Sequence, residues 1–130
     1  MFADIDASLM DRWQRLGMRV RCALDPDEPR LLEQFLGEAR YLASWEPVPA
    51  WPLFEKSYQL LLDTCRDVAL PWHWRQQCLD HAYRPLNELQ RLAVDASRRQ
   101  RLCQLSRRLA EQELAPSLSY PEAQEGIEND

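Results

Sequence analysis

At 130 residues the chain has room for one domain with a real hydrophobic core and too little for several. Gly is scarce and β-branched residues are confined to Val20, Val48, Val68, Val94, Ile5, Ile127 and Thr64, while Leu, Ala, Arg, Glu and Gln dominate. Those residues keep most of their side-chain freedom in a helix, so the composition excludes a β-rich fold and points to an all-α one.

The formal net charge of −5 resides at one end. Residues 111–130 carry six acids and no Lys or Arg, which leaves 16 basic against 15 acidic groups elsewhere. A near-neutral body without a DNA-reading motif argues against nucleic acid as a partner. No apolar run reaches the length of a membrane span. The opening Met-Phe-Ala-Asp-Ile-Asp has neither a basic nor an apolar stretch of a secretory signal, so a cytoplasmic protein is expected. Cys22, Cys65, Cys78 and Cys103 are scattered with no CxxC pair, which does not suit a disulfide framework.

In chain order, the first helix is expected from Asp6 to Ala23, with Asp4, Asp6 or Ser8 as its cap. Its apolar stripe is Leu9, Trp13, Leu16, Val20 and Leu24, spaced by three and four. Asp25-Pro26-Asp27-Glu28-Pro29 then turns the chain, Asp27 serving as cap and Pro29 entering the first turn of a second helix. That helix places Leu32, Phe35, Leu36, Ala39, Leu42 and Ala43 on one face. Three prolines within residues 45–52 make a stiff connection that Trp45 and Trp51 pin to the body. A third helix is expected from Pro52 to Val68, turning inward Leu53 or Phe54, Ser57 or Tyr58, Leu61, Leu62 and Cys65.

Pro71 opens the fourth helix, and Pro85 falls inside it. The stripe Cys78, Ala82, Leu86, Leu89, Ala93 and Ala96 keeps its phase across Pro85, which predicts one kinked helix and frees the carbonyl of His81. Beyond Ala96 the aliphatic residues become Leu102, Leu105 and Leu109, almost opposite the earlier face at about 100° per residue. Either the helix breaks near Ser97 or its last turns pack on another part of the chain or on a second subunit. Residues 1–115 therefore read as a single helical domain, an up-down bundle of four to five helices with the fourth kinked at Pro85. Residues 116–130 read as an acidic, disordered tail that could neutralise the basic helix in cis.

Three groups of residues could carry function. In an up-down bundle Cys22, Cys65, Cys78 and His81 fall near helix ends at one pole, a donor set that suits zinc or iron, and haem would also need a His. Buried cysteines and a His bonded to an acid such as Asp80 or Asp63 are the simpler meaning, with no cofactor. Trp72 and Trp74 are two apart and cannot both face the core, so one belongs at a boundary or interface. Arg84, Arg91 and Arg98 recur every seven residues and share a helix face that an acidic partner could meet, alongside Leu102, Leu105 and Leu109. No nucleophile with an identifiable acid–base partner is legible, which argues against an enzyme.

The runs Leu60-Leu61-Leu62-Asp63-Thr64, Leu70-Pro71-Trp72-His73-Trp74-Arg75 and Cys78-Leu79-Asp80-His81-Ala82-Tyr83-Arg84-Pro85-Leu86 resemble the FagA family. So do Leu24-Asp25-Pro26 and Ala39-Arg40-Tyr41-Leu42-Ala43. FagA proteins are small pseudomonad proteins named for association with the ferric uptake regulator, and their genes accompany an iron-independent fumarase and a manganese superoxide dismutase. The likeness spans residues 20–95 and implies a cytoplasmic protein made under iron limitation, with no catalytic residues to carry over. The reading is a non-enzymatic protein that works by helix-mediated contact with a protein partner or as a homodimer. The alternative is a metal- or haem-binding accessory protein using Cys78 and His81 with Cys22 or Cys65.

Overall fold

A computed structural model describes residues 2–45 and 48–118. Helix α1 (Phe2–Arg21) starts earlier than the cap signals suggested, so Asp4, Asp6 and Ser8 lie inside it. It ends where Ala23 takes a left-handed backbone, φ 51°. The amide of Ala23 bonds the carbonyl of Val20 and that of Leu24 bonds Arg19, the paired bonds of a Schellman cap. This ending turns Leu24 out to solvent, 62% exposed, and shortens the apolar stripe to Leu9, Trp13, Leu16 and Val20.

Helix α2 (Arg30–Ala43) follows with Pro29, not Asp27, at its N-cap. Asp27 instead meets Nε2 of His73 at 3.0 Å. Leu31, Leu32, Phe35, Leu36, Ala39 and Leu42 are buried. Trp13 stacks on Phe35 with ring centroids 5.3 Å apart and donates its indole N–H to the Phe35 carbonyl. Gly17 lets α1 come close, since a Cβ there would sit 3.1 Å from both Phe35 and Leu60.

Helix α3 (Ala50–Arg66) is the hub, packing on α1 and α2 before it and on α4 (Trp72–His81) and α5 (Tyr83–Leu92) after it. Either Leu53 or Phe54, and either Ser57 or Tyr58, was expected inside; all four are buried, because neighbours surround α3. Trp51, expected in the 45–52 connection, lies instead in the first turn of α3, partly buried against the core, and its indole donates to Glu55 of the same helix at 2.9 Å. Glu46 and Pro47 of that connection lie outside the described residues.

The expected fourth helix is divided. Ala82, which keeps helical dihedrals, separates α4 from α5, three residues before Pro85. Proline cannot donate to the carbonyl of His81, and the ladder gives way there with an Ala82-to-Leu79 bond. Cys78, Ala82 and Leu89 of the common stripe are buried, as the preserved phase requires.

At Ala93–Asp95 the chain leaves the helix, just before the break expected near Ser97. Asp95 caps α6 (Ala96–Ala110), accepting from the Arg98 amide at 2.8 Å. The break reorients the chain so that Leu105 is fully buried on the body, with Leu102 and Leu109 packed at the edge. The bundle thus has six helices, and no strand, among the described residues. None of these helices is long and apolar enough to cross a membrane.

Ser117 and Leu118, expected in a loose tail, bond back to the body. Ser117 donates its hydroxyl to the Leu70 carbonyl at 2.8 Å, and the Leu118 amide bonds Val68. The remainder of the expected tail, residues 119–130, lies outside the described residues.

Candidate functional site

The helix ends do converge as the bundle topology requires. Arg21 at the end of α1 pairs with Asp67 after α3 at 2.8 Å, and the Trp74 indole donates to Val20 across α1 and α4. The expected donor set does not assemble at this pole. Cys65 and Cys78 are buried, Cys22 is exposed, and His81 turns to α2. Burial pushes the Cys65 thiol up and, with Cys65 nearby, pushes Cys78 up to about 12. Both are therefore neutral thiols at physiological pH in the metal-free chain. His81 donates through Nδ1 to the Gln77 carbonyl at 2.7 Å and places Nε2 3.4 Å from Glu33, so its acid partner is neither Asp80 nor Asp63. Among the described residues no three His, Cys, Asp or Glu side chains are grouped to hold a metal ion.

The two tryptophans divide as expected. Trp74 is in the core, which removes it from the candidate interface, and Trp72 is 45% exposed. Leu105 leaves the interface for the same reason. Its burial against the body also explains the phase switch without a second subunit. Leu102 remains at the rim of a shallow groove with Leu86 and Cys103, while Leu109 is half-buried.

The arginine face is split by the Ala93–Asp95 break. Arg98 is drawn away, donating to the Leu92 carbonyl and lying 5.3 Å over the Trp51 ring. Arg84 and Arg91 stay together on α5, and α2 adds Arg40 to them. These three line a cleft of about 260 Å³ and an adjoining hollow between α2, α3 and α5, joined at Arg40, Phe54 and Glu88. Its floor is Leu36, Phe54 and the buried Pro85 ring, the residue that interrupts the helix. At its rim stand Tyr41 and Tyr83, 54% and 53% exposed.

The electrostatics of the cleft are cationic by one group. Arg84 binds Glu33 at 2.7 Å, and Arg40 and Arg91 both hold Glu88, giving three guanidinium groups for two carboxylates. The Arg84 guanidinium holds the Glu33 carboxyl below its ordinary range, with His81 adding to the effect. Arg40, Tyr41 and Phe54 were missed by sequence reasoning because they come from other helices than the heptad of arginines. The one signal for Arg40 and Tyr41 was their place on the exposed side of an amphipathic helix, beside Glu33 and Gln34. The arrangement offers forked donors for carboxylates beside an apolar floor, which is recognition chemistry.

Comparison with family models, curated proteins and solved structures returns no match for this chain.

Proposed function

We propose that this is a non-catalytic docking protein of the iron-limitation response, whose α2–α5 cleft receives an acidic segment of a protein partner in the cytoplasm. The observation that carries this reading is the cleft itself: an apolar floor at Pro85 under three arginines and two exposed tyrosines. Tyr and Arg are enriched among the few residues that carry most of the binding energy in protein interfaces, because they combine contact area with directed donors. The single excess guanidinium favours a carboxylate over a neutral side chain, and a bidentate Arg–carboxylate bond fixes its orientation. Leu36 and Phe54 accept an aliphatic neighbour of that acid. The resemblance to FagA supplies the setting of iron limitation.

A photoreactive amino acid at Tyr83, with one at the exposed Gln14 as control, tests the reading in iron-starved cells of the native host. Position 83 should give one discrete protein adduct that position 14 lacks, with an acidic segment at the crosslink. Equal adducts from both positions, or adducts only between copies of this chain, would overturn it. In the second case light scattering would show a dimer.

A further inference from the structure

Arg75 is fully buried, and among the described residues no carboxylate bonds it. Its Nε donates to the Cys65 carbonyl at 2.8 Å and Nη1 donates to Ser117 Oγ at 2.9 Å, but Nη2 is buried with no hydrogen-bond partner among the described residues. The guanidinium lies 5.6 Å from the ring centre of Trp72, which is a weak substitute for an anion. Asp67, the acid of the adjoining turn, is taken by Arg21 and by the Ala69 amide. A buried guanidinium held by neutral acceptors with one donor unmet is costly to keep, and guanidinium forks are what proteins use to receive oxyanions.

What covers the fork is a short strap. Residues 112–118 lie outside regular structure and are tied down by Gln112 on Arg66, Leu114 at the core edge, Ser117, and the Leu118 amide on Val68. The Ser117 hydroxyl accepts from Arg75 and donates to the Leu70 carbonyl at the same time. An occupant that both accepts and donates would replace both of its bonds at once. A carboxylate or sulfate only accepts and would face the Leu70 carbonyl lone pairs unfavourably. Hydrogen phosphate keeps one P–OH for Leu70 and offers two oxygens to Nη1 and Nη2 of Arg75.

We infer that Arg75 and the Leu70 carbonyl form a hydrogen-phosphate site, with Ser117 of the strap standing in for the ion when the site is closed. Binding lifts the 112–118 segment off the α3–α4 turn, as weakly tied segments open at modest cost. The site is separate from the α2–α5 cleft and does not depend on it.

Inorganic phosphate titrated into ¹⁵N-labelled full chain near pH 7.5, against sulfate at equal ionic strength, tests this. Phosphate should shift the Arg75 Nε–H and Leu118 amide signals, and sulfate should not. Ser117→Ala removes the internal competitor and should bind phosphate about tenfold more tightly. Arg75→Met should lose the response; if that variant does not fold, the sulfate comparison and Ser117→Ala still decide. An equal response to sulfate would mean an adventitious ion only. That result, a response retained in Arg75→Met, or no phosphate response in either wild type or Ser117→Ala would overturn the inference.

Discussion

Tyr58, fully buried on α3, donates its hydroxyl to the main-chain carbonyl of Leu105 on α6, 47 residues further along the chain. The bond ties the last helix to the central one, and two further ties flank it: Arg101 pairs with Glu55 at 2.7 Å and Arg108 donates to Gln59. Tyr58→Phe keeps the ring and removes only the donor, so it should cost about 1 kcal/mol, the net worth of one buried hydrogen bond. Amide exchange should accelerate in α6 before it does in α2 or α3. Unchanged exchange across α6 would show that Leu105 burial and the two flanking ties hold the helix without this bond.

Ala23 ends α1 with a left-handed backbone that an alanine adopts at a cost. Ala23→Gly should raise stability by about 0.5 kcal/mol, the relief of that cost less the lost methyl packing and the added freedom of the unfolded chain. Thermal or urea unfolding measures it. A loss of stability would mean the half-buried methyl outweighs the backbone term.

The four thiols should separate into two classes. Cys22 and Cys103 are exposed, whereas burial holds the Cys65 and Cys78 thiols neutral. A chromogenic disulfide reagent should label two thiols quickly in the native protein and the other two only on unfolding. Rapid labelling of Cys78 would contradict its burial.

Acid should loosen the attachment of α6. The Arg101 guanidinium bonded to Glu55, helped by the Trp51 indole, holds that carboxyl below its ordinary value of 4.5. A carboxyl depressed in the folded state binds fewer protons there than in the unfolded chain. Its stabilisation is therefore complete above about pH 4.5 and is lost as pH falls through the folded value. Asp67 with Arg21, and Glu33 with Arg84, act in the same direction. Tm should fall between about pH 5 and 3, and Glu55→Gln should flatten part of that slope. A slope identical in Glu55→Gln would assign the acid sensitivity to the other pairs.

The helices were legible wherever one face alone is buried. In α2 the spacing of Leu32, Phe35, Leu36, Ala39 and Leu42 matches the buried face, while Leu31 is buried besides and the expected Ala43 is only half-buried at the helix end. In α3 it was ambiguous for a physical reason: a helix covered by four neighbours has no single stripe, and both members of Leu53/Phe54 and Ser57/Tyr58 go inside. The phase switch after Ala96 was visible, but the break lies earlier, at Ala93–Asp95, where Asp95 three residues before the Arg98 amide is the cap signal. The left-handed Ala23 carried no signal, since that position ordinarily calls for glycine. Arg84 and Arg91 could be placed on one face from spacing, but their convergence with Arg40 and Tyr41 is tertiary. The burial of Arg75 was equally hidden, because it depends on Ser117 returning from the far end of the chain to cover it.

The most direct measurement of the docking account is the affinity of the purified protein captured at Tyr83 for the wild type and for the triple variant Arg40→Gln/Arg84→Gln/Arg91→Gln. The account expects at least about a tenfold loss of affinity and a weaker salt dependence in the variant, with its helical content unchanged. An affinity equal to that of the wild type, in a folded variant, would contradict it.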